Sequence, residues 1–145
     1  MPQLTMRDRI IHEARLCIGT PYHHCGRHWR LGLDCIGLLV HVGGRLGLTT
    51  HDLAAYSRHP DGITLPRELS RCLAEVPPQE AGPGDVLTFW IRRRGVPQHA
   101  AIITEVEPTS IVHTHADAGR VAEHGLDPRW AERICAAYRY PGVED

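Results

Sequence analysis

The sequence lacks the features that would mark a membrane, nucleic-acid-binding or disulfide-framed protein. No apolar run approaches the ~20 residues needed to span a bilayer. Sixteen Lys and Arg against seventeen Asp and Glu leave a formal net charge of -1, so no basic surface for nucleic acid or anionic lipid is implied. The five cysteines, at 17, 25, 35, 72 and 135, are odd in number and form no C-x-x-C pair. That excludes a disulfide framework and a four-thiolate zinc site. The opening segment, Met1-Pro2-Gln3-Leu4-Thr5-Met6-Arg7-Asp8, has no signal-peptide core and no lipobox-like cysteine. No repeat or linker divides the 145 residues, so a single domain over residues 1–145 is expected. Histidine, by contrast, is plentiful: eleven imidazoles make the net charge sensitive to pH between about 5 and 7.

Periodicity predicts helices first and strands afterwards. Thr5 and Asp8 form a capping-box pattern before a helix carrying Ile10, Ile11, Ala14, Cys17 and Ile18 on one side, stopped by Gly19. Residues 20–33 read as a loop rich in Gly, His and aromatic residues. Asp34 is a good N-cap for a second helix, whose Leu38, Leu39, Val42 and Leu46 recur at helical spacing before Gly47. Residues 48–63 read as a polar connection. Pro66 opens a stripe of Leu69, Cys72, Leu73 and Val76, broken by Pro77-Pro78. Strands are expected over 86–91, 99–106, 111–115 and 134–140, with a short turn or helix around Pro128. The class is α+β, with N-terminal helices packed on a mostly antiparallel sheet. Cys17, Cys72 and Cys135 read as small buried residues on apolar faces.

Cys35 stands where the loop turns into the second helix. Unpaired N–H groups at a helix start favour the thiolate, the nucleophilic form. A nucleophilic cysteine needs an imidazole partner, a group to orient that imidazole and donors for the developing oxyanion. His99 begins an apolar strand and is the base candidate. His113 lies in the adjoining strand and is the orienter; His115 shares its face, so spacing leaves His115 as the alternative. Asp34 is read as a helix cap that aims Cys35, because a carboxylate beside the thiol disfavours the thiolate. A protonated His99 is expected to offset that repulsion. His23, His24, Cys25 and His28 carry metal-binding side chains, but their spacing matches no common zinc motif, so no metal is assigned.

Five motifs occur in order: Gly19-Thr20-Pro21-Tyr22, Gly32-Leu33-Asp34-Cys35-Ile36-Gly37-Leu38, Pro83-Gly84-Asp85-Val86-Leu87-Thr88-Phe89, Gln98-His99-Ala100-Ala101-Ile102-Ile103 and Ile111-Val112-His113. This set resembles the NlpC-type bacterial cell-wall peptidase family, which is papain-like, over nearly the whole chain. The stretch from His113 through Trp130-Ala131-Glu132-Arg133-Ile134 to Tyr140-Pro141 resembles the branch found in phage tails and gene transfer agents. The resemblance implies a cysteine peptidase with Cys35 as nucleophile, His99 as base and acid, His113 as its orienter and Tyr22 facing the thiolate. It implies no cofactor. Two positions depart from the family: Ile36 stands where serine is frequent, and Ala100-Ala101 where Val-Gly is frequent. Neither removes a catalytic group.

The implied substrate is a peptidoglycan stem peptide, cut at a γ-D-glutamyl-diaminopimelate type of amide. Other tail proteins are the implied partners, with neither nucleic acid nor membrane insertion. Cytoplasmic synthesis, followed by action in the cell wall after particle assembly or lysis, is the expected setting. The alternative is a catalytically silent docking component of a tail tip.

Overall fold

Thr5 begins the first helix, α1 (Met6–Leu16), through a closed capping box: its hydroxyl accepts the Asp8 N–H at 3.1 Å, and the Asp8 carboxylate accepts the Thr5 N–H at 3.0 Å. The computed structural model describes residues 3–49, 51–52 and 61–144. Residues 50 and 53–60 of the expected polar connection therefore lie outside the described residues.

The order after α1 is β1 (Arg27–His28), β2 (Gly32–Leu33), α2 (Cys35–Arg45), α3 (Thr64–Cys72), β3 (Ala74–Val76), β4 (Val86–Phe89), β5 (His99–Glu105), β6 (Ser110–His113), β7 (Ala122–Gly125), α4 (Pro128–Ala131) and β8 (Ile134–Arg139). The loop expected over 20–33 contains the small β1–β2 ribbon. A six-stranded sheet runs β3-β8-β4-β5-β6-β7, with every neighbouring pair antiparallel. The result is an α+β fold.

Two expectations need correcting, and one strand is new. The stripe ending at Val76 is broken earlier: Leu73 turns extended, and residues 74–76 pair with β8 instead of continuing the helix. The third expected strand stops at His113, leaving His115 in the following turn region. β7 was not anticipated at all; it is a four-residue edge strand with no buried position.

Both faces of the sheet are covered, so β4 and β5 are buried almost continuously and lose strict alternation. On one face, Ile10, Ala14 and Cys17 of the α1 region and Leu38 and Val42 of α2 pack on Ala100, Ile102 and Val112. On the other, Leu87, Phe89, Ala101, Ile103 and Ile111 pack with Trp130 of α4. Period-two geometry places His99 and His113 on this second face, at the end of the sheet where β5 begins and β6 ends.

Asp85 anchors the turn before β4. It is fully buried, and Arg139 Nε and Nη2 donate to its two oxygens at 3.1 and 3.0 Å. Arg7 reaches the same carboxylate at 3.2 Å, and the Gly82 N–H donates to it at 2.9 Å. Helix α1, strand β8 and the β4 turn are thus tied to one carboxylate. A buried charge of this kind is tolerable only because it is so fully paired.

Candidate active site

Asp34 has extended backbone and accepts the Gly37 N–H on Oδ1 at 2.8 Å, so it caps α2 and places Cys35 as the first helical residue. Its second oxygen accepts the Cys25 N–H at 2.7 Å, and Arg27 Nη1 donates to Oδ1 at 3.2 Å. These bonds bring the loop against the first turn of α2. The approach needs glycine: a Cβ on Gly37 would lie 2.0 Å from the Gly26 carbonyl oxygen.

Cys35 is half-buried. Its sulfur is approached by the backbone N–H groups of Ala100, Ile36 and Cys35 itself, all of which favour the thiolate. Burial outweighs them and, with the adjacent Asp34 charge adding, pushes the thiol up to about 12. The N–H groups at the helix start therefore favour the thiolate but are outweighed by burial. The resting residue is a neutral thiol. Its contact with the Ala100 N–H nevertheless puts the sulfur beside the first residues of β5.

His99 is the first residue of β5, opposite Phe89 of β4, and is 2% exposed. His99 Nε2 lies 2.7 Å from His113 Nδ1 in a buried hydrogen bond. His113, not His115, is thus the ring hydrogen-bonded to His99. His115 lies close, its ring centroid 5.4 Å from those of both His99 and His113, without a hydrogen bond to either among the described residues. Trp130 packs edge-on against His113 at 5.4 Å and tilted against His99 at 5.7 Å, covering the pair.

Burial drives the His99 imidazole well below its ordinary value, and the neighbouring His113, His115 and His124 push in the same direction. Burial likewise takes His113 down to about 3, with His124 and His115 adding. The imidazoles are neutral at physiological pH, so the expected offset of Asp34 by a protonated His99 is absent at rest. The carboxylate is held instead by backbone N–H groups and Arg27.

Tyr22 is partly buried. Its backbone bridges Leu33, two residues before Cys35, and its N–H donates to Gly119 O at 2.9 Å. It therefore belongs to the wall of chain next to the loop that leads into Cys35. The four residues weighed for metal binding are not brought together as a set. Among the described residues, the grouped donors are His24, Cys25 and Asp34, within 4.8 Å of one another. Asp34 already accepts two N–H groups and a guanidinium there, so a cation would compete with Arg27 for the same oxygens.

Sequence reading missed His124. It lies on β7 opposite Ile111, hence on the same face as His113, and its Nε2 is 2.5 Å from His113 Nε2. Only the pairing of β7 with β6 reveals this, because 122–125 carry no strand pattern of their own.

No protein-family model and no curated protein sequence matches the chain. Solved structures do. The chain superimposes on a Staphylococcus aureus protein described as similar to lipoprotein of the NLP/P60 family, with a TM-score of 0.68 and 20% identity. That match covers 96% of this chain and 42% of the other, so the chain spans well under half of that protein. The NlpC/p60 domain of the peptidoglycan hydrolase SagA matches with a TM-score of 0.63 and 22% identity, over 91% of this chain and 97% of the domain. RipD of Mycobacterium tuberculosis, described as a non-catalytic NlpC/p60 protein adapted to peptidoglycan binding, matches with a TM-score of 0.62 and 14% identity, over 96% of this chain and 99% of RipD. The fold is the papain-like NlpC/P60 fold. Both hydrolysis and binding are described among proteins that share it, so the fold alone does not decide between them.

Proposed function

We propose that the protein is a cysteine peptidase acting on the stem peptides of peptidoglycan. The observation that carries this reading is the buried His99–His113 hydrogen bond, set at the start of the strand whose Ala100 N–H meets Cys35 Sγ. Burying two hydrogen-bonded imidazoles costs desolvation that a binding module has no use for, and titratable groups perturbed in this way cluster at catalytic sites.

The reaction begins from a neutral pair. As Cys35 Sγ attacks the substrate carbonyl, its proton passes to His99, and the Sγ–C bond forms. The Cys35 backbone N–H, at the helix start, is a donor for the oxyanion, with Tyr22 as a second candidate. His99 then gives its proton to the leaving amine as the C–N bond breaks. Water attacks the thioester with proton transfer through His99, and Sγ leaves as the thiol once that proton is returned. His113 holds His99 throughout.

The likeness of SagA to this chain supports a peptidoglycan substrate, and the motif resemblance supports a γ-D-glutamyl-diaminopimelate type of bond. The likeness of the C-terminal stretch to the tail and gene-transfer-agent branch supports a setting in a phage-like particle, with cell-wall action after assembly or lysis. Incubation of purified sacculi with the protein, followed by mass spectrometry of soluble products, tests the chemistry. New amino termini at diaminopimelate are expected. Sacculi that bind the protein but release no peptide support the docking alternative.

A further inference from the structure

The histidines of this site form a chain rather than a pair. His99 Nε2 meets His113 Nδ1 at 2.7 Å, His113 Nε2 meets His124 Nε2 at 2.5 Å, and His124 Nδ1 meets the Gly125 carbonyl oxygen at 2.9 Å. Each neutral imidazole has one N–H and one bare nitrogen. Such a chain has two possible directions, and its last contact selects one of them. A carbonyl oxygen can only accept, so in the neutral form of His124 the hydrogen sits on Nδ1 and Nε2 is bare. His113 must then donate through Nε2, which leaves its Nδ1 bare. His99 must donate through Nε2 in turn. The one nitrogen left over is His99 Nδ1, which has no hydrogen bond among the described residues and must be bare.

We propose that His124 is a positioning residue: anchored by the Gly125 carbonyl, it sets through His113 the tautomer of His99, leaving His99 Nδ1 free to take the Cys35 proton. The proposal rests on the reading of Cys35 as nucleophile and His99 as its base. It explains how a base can be ready without a carboxylate partner. In a triad with an acidic third residue, the carboxylate fixes the tautomer because it can only accept. An imidazole accepts or donates, so a histidine in that place leaves the direction open. Here a backbone carbonyl two imidazoles away supplies the missing asymmetry. The groups around the chain do not supply it. His115 offers no hydrogen bond to either buried ring, Trp130 covers the rings, and the Glu123 carboxylate is bound by Arg15 at 2.9 Å.

The test compares wild type with His124→Gln and His124→Arg in the full chain. Glutamine offers a carbonyl that accepts from His113 Nε2; arginine can only donate and opposes the chain. Long-range proton–nitrogen correlation on isotope-labelled histidine reads each tautomer without substrate at neutral pH. The wild-type His99 is expected with hydrogen on Nε2 and a bare Nδ1. His124→Gln is expected to keep this state and most of kcat. His124→Arg is expected to lose it, with kcat on sacculi falling about tenfold or more. A wild-type His99 protonated on Nδ1 overturns the proposal, whether or not the variants fold. So does an unchanged His99 tautomer in folded His124→Arg. Failure of the peptidase reading looks different: the expected tautomers with no peptide release by the wild type.

Discussion

Acidification should destabilise this fold through His113. Its folded-state value near 3 lies far below the 6.5 of an unperturbed imidazole, because burial and two neighbouring histidines oppose the charge. The unfolded chain therefore takes up a proton that the native state refuses. Stability is complete above about pH 6.5 and falls as pH drops toward about 3, where the native residue would finally protonate. Between those limits one such group costs about 1.4 kcal/mol per pH unit, or roughly 3 kcal/mol by pH 4. That is a large share of the roughly 5–15 kcal/mol by which a typical domain is stable. His99 is shifted in the same direction and steepens the loss. Glu123, lowered by its bond to Arg15, also loses its contribution in acid, so wild type alone does not isolate the histidines. Urea denaturation of wild type and His113→Gln between about pH 7 and pH 4 does. The variant starts less stable at neutral pH but shows the shallower decline, and the two curves converge on acidification. Parallel curves across that range would refute the reasoning.

Two further outcomes follow from the same geometry. Replacing Asp85 by Ala leaves Arg7 and Arg139 without their shared buried carboxylate and should cost about 3–5 kcal/mol in urea denaturation; a loss within the noise would show that the three-way tie carries no stability. In the absence of substrate, Cys35 should be alkylated by iodoacetamide at neutral pH more slowly than free cysteine, since burial holds it as a thiol. Rapid labelling of Cys35 below about pH 7 would instead reveal a preformed thiolate.

What could be read from the residues divides along physical lines. The start of α2 was legible because Asp34 and the spacing of Leu38, Leu39 and Val42 are local signals, and the chain realises them locally. Two adjacent strands brought His99 near His113 or His115, and only the structure, with β6 ending at His113, distinguishes them. β7 was not legible: Ala122-Glu123-His124-Gly125 has no apolar alternation and is a strand only because β6 templates it. With it went His124, which sits eleven residues beyond His113 in sequence and in direct contact in space. The protonation of Cys35 was misjudged for a related reason. The field of a helix start belongs to one helix, whereas the desolvation that defeats it comes from packing α2 against β5. The extended turn at Leu73, which diverts 74–76 into the sheet, is likewise fixed by pairing with β8 rather than by the stripe of Leu69, Cys72 and Val76.

The central claim is that Cys35 and His99 together cleave peptide bonds in the cell wall. Digestion of purified sacculi by wild type, Cys35→Ala and His99→Ala, with released peptides quantified by mass spectrometry, addresses it directly. The account predicts release by wild type and none above the no-protein control by either folded variant. Equal release by wild type and Cys35→Ala would contradict it.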